Sequence, residues 1–186
     1  MNNIPLRRAI LQWIVLLSSA IIVLAIDQMT KAWVTGHMLY GETLIPIPAL
    51  QDFITLTRSS NTGAAFSLLP QAGDLFLIIA LVMIIVILLF YRRIPNGHWL
   101  ERIALGLLLG GVAGNALDRL RLGYVVDFVH LQLRPFISNV SNIADHAIVI
   151  GIGILFIVQW TGSKASTPPT PSKVDQQPEE TPPVKL

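Results

Sequence analysis

Gly110-Gly111-Val112-Ala113-Gly114-Asn115-Ala116-Leu117-Asp118-Arg119, continuing as Leu120-Arg121-Leu122-Gly123-Tyr124-Val125-Val126-Asp127-Phe128, is the stretch from which the architecture is read. It starts as the glycine-rich end of an apolar run, Leu100 to Leu117, long enough to approach a membrane surface. It then delivers Asn115, Asp118, Arg119 and Asp127 within 13 residues, and Asp145 follows 18 positions later at the head of another apolar run. Ionisable groups at membrane depth are costly and by default mark a functional site. Asp127 and Asp145 are therefore expected to meet as a catalytic pair.

The rest of the composition agrees with a membrane setting. Of 186 residues, 53% are hydrophobic and only 13% charged, with a mean hydropathy of +0.62; ordinary soluble domains are about 25% charged. Net charge is +2, too weak a bias to suggest nucleic acid. The absence of cysteine excludes disulfides, a thiol nucleophile and thiolate metal sites. His37, His98, His130 and His146 fall in no metal-ligand spacing, so neither a metal nor another cofactor is expected.

Four spans are expected, at about 9–26, 75–91, 100–117 and 143–160, each near the roughly 20 residues a span needs. The first follows Arg7-Arg8 and exceeds a signal-peptide core in length, so it reads as retained. Asp27 and Lys31 close it with i,i+4 spacing, which reads either as an ion pair at a helix end or as support for a neighbouring site. Residues 32–74 form the sizeable extramembrane region, with Trp33 and Tyr40 as interfacial anchors and Phe53 to Thr57 alternating like a half-buried strand. Asn61-Thr62-Gly63 suits a turn, since Gly63 tolerates positive φ. Leu75 to Tyr91 reads as lipid-facing all round. Gly106, Gly110 and Gly114 recur every four residues, leaving a helix face that a neighbour can approach closely. Asn115, Asp118 and Arg119 share one helical face if that helix persists. Tyr124 to Val129 reads as a short β run, His130 to Ser141 as a loop, and His146 faces away from Asp145. The Pro-rich stretch 163–186 cannot bury a core and is expected to be a disordered tail. The fold class is thus a four-helix membrane domain (residues 1–162) with a small β-rich cradle between the first two helices.

Four spans put both termini on one side, with Arg7, Arg8, Arg92, Arg93, Arg102 and Lys164; Lys31, Arg58, Arg119, Arg121 and Arg134 fall on the other. The first group lies in very short segments beside span ends, which places it in the cytoplasm. Asp27, Asn61, Asn115, Asp118, Asp127, Asn142 and Asp145 then converge at the outer face. Two carboxylates held close share a proton, so one can activate water while the other protonates a carbonyl oxygen. That reads as an aspartyl-type membrane hydrolase. The rival reading is an ion- or proton-coupled carrier using the same acids as relays; clustering at one interface and the lack of an inverted repeat count against it.

Five short motifs occur in order: Asp27-Gln28-Met29-Thr30-Lys31, Asn61 to Ser67, Gly114 to Arg119, Val125-Val126-Asp127-Phe128 and Asn142-Ile143-Ala144-Asp145. Together, over roughly residues 10–160, they resemble the bacterial lipoprotein signal peptidase (signal peptidase II) family. The resemblance implies that Asp127 and Asp145 match the catalytic aspartates. It implies that Asn61, Asn115, Arg119 and Asn142 match substrate-facing polar residues, with Asp27, Lys31 and Asp118 in support. The implied activity is metal-free removal of the signal peptide from lipoprotein precursors just before a diacylglyceryl-modified cysteine, in the bacterial inner membrane. Membrane lipids and globomycin-type inhibitors are the other implied partners, and an oligomer is not required. Ser141 departs from the family pattern, standing where an aromatic usually precedes the last Asn, and is expected to loosen packing around Asn142.

Overall fold

The computed structural model describes residues 6–63, 72–133 and 137–165. Residues 64–67 of the second motif, Arg134-Pro135 and the tail beyond residue 165 lie outside the described residues. Four helices carry the fold: α1 (Leu6–His37), α2 (Ala72–Tyr91), α3 (Trp99–Leu122) and α4 (Ile143–Ala165). Each contains a segment long and apolar enough to cross a membrane. Leucines and isoleucines of α1, α2 and α4 stay exposed over much of their length, as lipid-facing helices require.

Helix α3 is the most enclosed of the four and packs against the other three. Its glycines explain how. A Cβ at Gly106 would sit 2.8 Å from the Leu16 carbonyl oxygen, and one at Gly110 2.5 Å from that of Ala20, both on α1. Gly111 faces α4 instead, where a Cβ would come within 2.5 Å of the Ala144 carbonyl oxygen. Close backbone approach is the usual substitute for hydrophobic driving force between helices in lipid. The far end of the bundle is fastened by Arg102. Its buried guanidinium donates to the carbonyls of Ile94 and Pro95 at 3.0 Å and lies over the Tyr91 ring.

Several boundaries differ from the sequence reading. Helix α1 does not end at Ile26 but continues to His37, so Asp27 and Lys31 are mid-helix and buried rather than an ion pair at an interface. Helix α3 likewise runs through Asp118 and Arg119 and ends at Gly123, whose φ of 81° needs glycine and whose N–H donates to the Arg119 carbonyl. The cradle is a single antiparallel sheet of β1 (Thr43–Leu44), β2 (Ile54–Asn61), β3 (Val125–Leu133) and β4 (Ile137–Ser141), in that order. Its strands come from both the α1–α2 and the α3–α4 connections, not from the first alone. In place of the loop expected from His130 to Ser141, the described residues pair as β3 and β4, from Val129↔Ser141 to Leu133↔Ile137. Arg58 of β2 ties the sheet to α1 by donating to the Thr35 and Met38 carbonyls at that helix's C-terminal end.

Candidate active site

The site grows from a polar cluster that helix burial forces into order. Lys31 Nζ has three protons to place. They go to Asp27 Oδ2 at 2.9 Å, Asp118 Oδ2 at 2.8 Å and Asn115 Oδ1 at 3.0 Å, so one side chain of α1 grips α3 twice. Asp27 also accepts the Ala144 N–H at 3.0 Å, which ties α1 to the first turn of α4. Gln28 bridges the two acids, donating to Asp118 Oδ1 at 2.9 Å and Asp27 Oδ2 at 3.2 Å. Asp118 Oδ2 accepts the Val126 N–H as well, fixing β3 one residue before Asp127. Burying this many charges is tolerable only because each is paired and hydrogen-bonded.

Asn142 is the N-cap of α4. Its Oδ1 accepts the Asp145 N–H at 2.9 Å, and the Asp145 carboxylate accepts the Asn142 N–H at 3.3 Å, a reciprocal capping box. With the Ala144 N–H taken by Asp27, two otherwise orphaned helix donors are satisfied. The Asn142 amide then reaches outward: Nδ2 donates to Asp127 Oδ1 at 2.6 Å and to Asn115 Oδ1 at 3.2 Å. Asn115 Nδ2 in turn donates to Asp145 Oδ1 at 2.7 Å. Asn142 therefore bonds to both carboxylates, and Asn115 links its amide to Asp145. The remaining oxygen of Asp127 accepts from Asn61 Nδ2 at 3.0 Å. Asn61 sits diagonally across the β2–β3 pair, two residues from Ser59, which lies opposite Asp127. Asn61 Oδ1 accepts the Gly63 N–H, closing a turn in which Gly63 has φ of 80°.

Burial pushes the Asp127 carboxyl up to about 6, and the negative charge of Asp145 adds to the rise. Hydrogen bonds from Asn61 and Asn142 and the charge of Lys31 oppose it. Arg119 interacts electrostatically with Asp145, Asp127 and Asp118, donates to the Asn115 carbonyl and lies 5.3 Å from the Phe76 ring centre. Its Nε is buried without a hydrogen-bond partner among the described residues. Arg119, Phe76, Asp127, Asn61 and Gly63 line an open cavity of about 580 Å³ between the cradle and the helix ends. Among the described residues, no group of three or more His, Asp or Glu side chains gathers to hold a metal ion.

All ten residues singled out by sequence thus belong to one connected neighbourhood. Ser141 does not loosen it: its Oγ donates to the Val129 carbonyl, and Asn142 is fully buried. Sequence reasoning passed over Gln28, although it lies inside a quoted motif, and Phe76, hidden in a uniformly apolar run. Gly111 was also missed, since only the four-residue glycine period drew notice.

A family model for signal peptidase (SPase) II matches residues 19–161. A lipoprotein signal peptidase of Desulfitobacterium hafniense is 42% identical over 137 residues, covering 74% of this chain and 87% of that protein. One from Moorella thermoacetica is 43% identical over 136 residues, covering 73% and 86%. Among solved structures, a bacterial membrane enzyme determined by the in meso method at 2.3 Å resolution superposes with a TM-score of 0.73 at 27% identity, covering 84% of this chain and 94% of its own. Together with four apolar helices, these likenesses make the protein a multi-pass bacterial membrane protein. The chain belongs to the signal peptidase II family.

Proposed function

We propose that the protein is an aspartic endopeptidase of the inner membrane that removes the signal peptide from diacylglyceryl-modified prolipoproteins, with Asp127 and Asp145 as its catalytic pair. Membership of the family supports a peptidase acting on prolipoprotein signal peptides. The observation that carries the mechanism is the Asn142 amide, which donates to Asp127 and shares a reciprocal cap with Asp145. Two carboxylates that bond to one asparagine and repel each other hold a proton between them. Burial lifts Asp127 toward the range in which it carries that proton.

The ionised partner removes a proton from a water as the water oxygen bonds to the scissile carbonyl carbon. The protonated partner gives its proton to the carbonyl oxygen, producing a neutral tetrahedral diol. On collapse the C–N bond breaks, the cysteine nitrogen takes a proton from one carboxyl, and a diol hydroxyl returns one to the other. The products are a signal peptide with a new carboxyl group and a free α-amine on the lipid-modified cysteine. Arg119 Nε, which has no hydrogen-bond partner among the described residues, is a donor for a substrate carbonyl, and Asn61 with Gly63 forms the rim where extended peptide enters. The active site faces the outer side and both termini face the cytoplasm. Globomycin-type inhibitors compete at the same cavity, surrounding lipid supplies the solvent of the bundle, and a single copy suffices.

A carrier using the same acids makes a different prediction. Detergent-solubilised protein, with no gradient across any membrane, should cleave a lipid-modified precursor and release a signal peptide of the mass set by cleavage before the modified cysteine. Added chelator should not slow it. A requirement for an ion gradient, or no peptide release, contradicts the hydrolytic reading.

A further inference from the structure

A second cavity, about 460 Å³, opens at the opposite end of the bundle from the carboxylates, where α2 and α4 stand apart over α3. Its walls are Phe90 of α2 and Ile152, Leu155 and Phe156 of α4, with Arg93 and Gln159 at its rim. In water such a groove would be an exposed apolar patch; in a bilayer it is filled by hydrocarbon. What distinguishes it from ordinary lipid-facing surface is the pairing of a half-open, mostly apolar slot with an exposed arginine at its rim. Arg92 and Arg93 are both exposed at the helix end, and the turn bearing them is pinned by Arg102 and by Gln12, which donates to Asn96 at 2.8 Å. The groove also carries one acid, Glu101, which lies 2.6 Å from His98 Nδ1. Trp160, one turn beyond Phe156 and stacked on it, marks interfacial depth.

We propose that this groove is a binding site for an anionic phospholipid, one acyl chain lying in the slot and the headgroup phosphate pairing with Arg93. An anionic headgroup suits a rim whose exposed charge is Arg93, with Arg92 next to it in sequence, and the mostly apolar slot accepts hydrocarbon. The site is independent of the hydrolytic assignment and shares no residue with it.

The absence of native cysteine allows a clean test. Ile152→Cys, at an exposed wall position, is labelled with a membrane-permeant maleimide in uncharged detergent, with phosphatidylglycerol or phosphatidylcholine titrated in. Phosphatidylglycerol should slow labelling saturably, phosphatidylcholine should not, and adding Arg93→Gln should weaken the protection about fivefold. Native mass spectrometry of the wild-type chain, which needs no substitution in the slot, should show retained phosphatidylglycerol that Arg93→Gln loses. Equal protection by both lipids, indifference to Arg93→Gln, or protection by a lipid-modified precursor but not by phosphatidylglycerol would overturn the proposal. The last outcome would assign the slot to the substrate's own helix.

Discussion

At the scale of residues, the site is a chain of amide-to-carboxylate hydrogen bonds whose direction is fixed by one ammonium. Lys31 donates to Asn115 Oδ1, which leaves Asn115 Nδ2 to face Asp145. Asn61 has the opposite kind of influence, since its donor favours the ionised form of Asp127. The shared proton is lost as pH rises through the lifted Asp127 value of about 6, so kcat/KM should fall on that alkaline side. Asn61→Ala removes the opposing hydrogen bond, so Asp127 holds its proton to higher pH. The alkaline limb should then move upward by roughly 1 pH unit, read from kcat/KM profiles of the two proteins. A limb that stays put or moves down contradicts the assignment of Asp127 as proton carrier. The Asp27 and Lys31 spacing was legible as a pair. Their partners on α3 and α4 were not, because contacts between residues 84 or more positions apart leave no trace in local spacing.

At the scale of elements, glycine placement sets where the carboxylates stand. Gly111 lets α3 approach the first turn of α4 at Ala144, next to Asp145. Gly111→Ala should displace that turn, costing about 1–3 kcal/mol of stability and lowering turnover. Gly153→Ala, with nothing within 4 Å of the added carbon, should change neither. Thermal unfolding in detergent and turnover of both variants check this; an unaffected Gly111→Ala would mean that helix approach does not position Asp145. The helices themselves were readable from apolar run length, but their polar ends were cut short. Charged residues at 27, 31 and 118 look like stop signals until burial pairs them. Strand β4 was hidden for a related reason. Ser138, Asn139 and Ser141 give it little intrinsic strand preference, and its register comes from pairing with β3.

At the scale of the whole molecule, one end of the bundle is acidic and polar and gathers the sheet, while the other is basic and clamped around Arg102. Reporter fusions after Pro95 should read cytoplasmic and fusions near Gln51 should read external; the reverse pattern would invert the proposed orientation. The convergence of separated motifs at one face was legible because four spans leave few ways to arrange them. That β-strands from two connections join into one sheet was not, since pairing across distant segments depends on the bundle first bringing them together. The central claim is that Asp127 and Asp145 act as one unit. It is tested most directly by turnover of a lipid-modified precursor by purified, folded wild type, Asp127→Asn, Asp145→Asn and the double variant. Asparagine keeps the shape of the carboxyl but cannot cycle a proton. Each single substitution should lower turnover by at least ~10³-fold, and the double should be barely worse than either. Substantial turnover in either folded single variant, or losses that simply multiply in the double, would contradict the pairing.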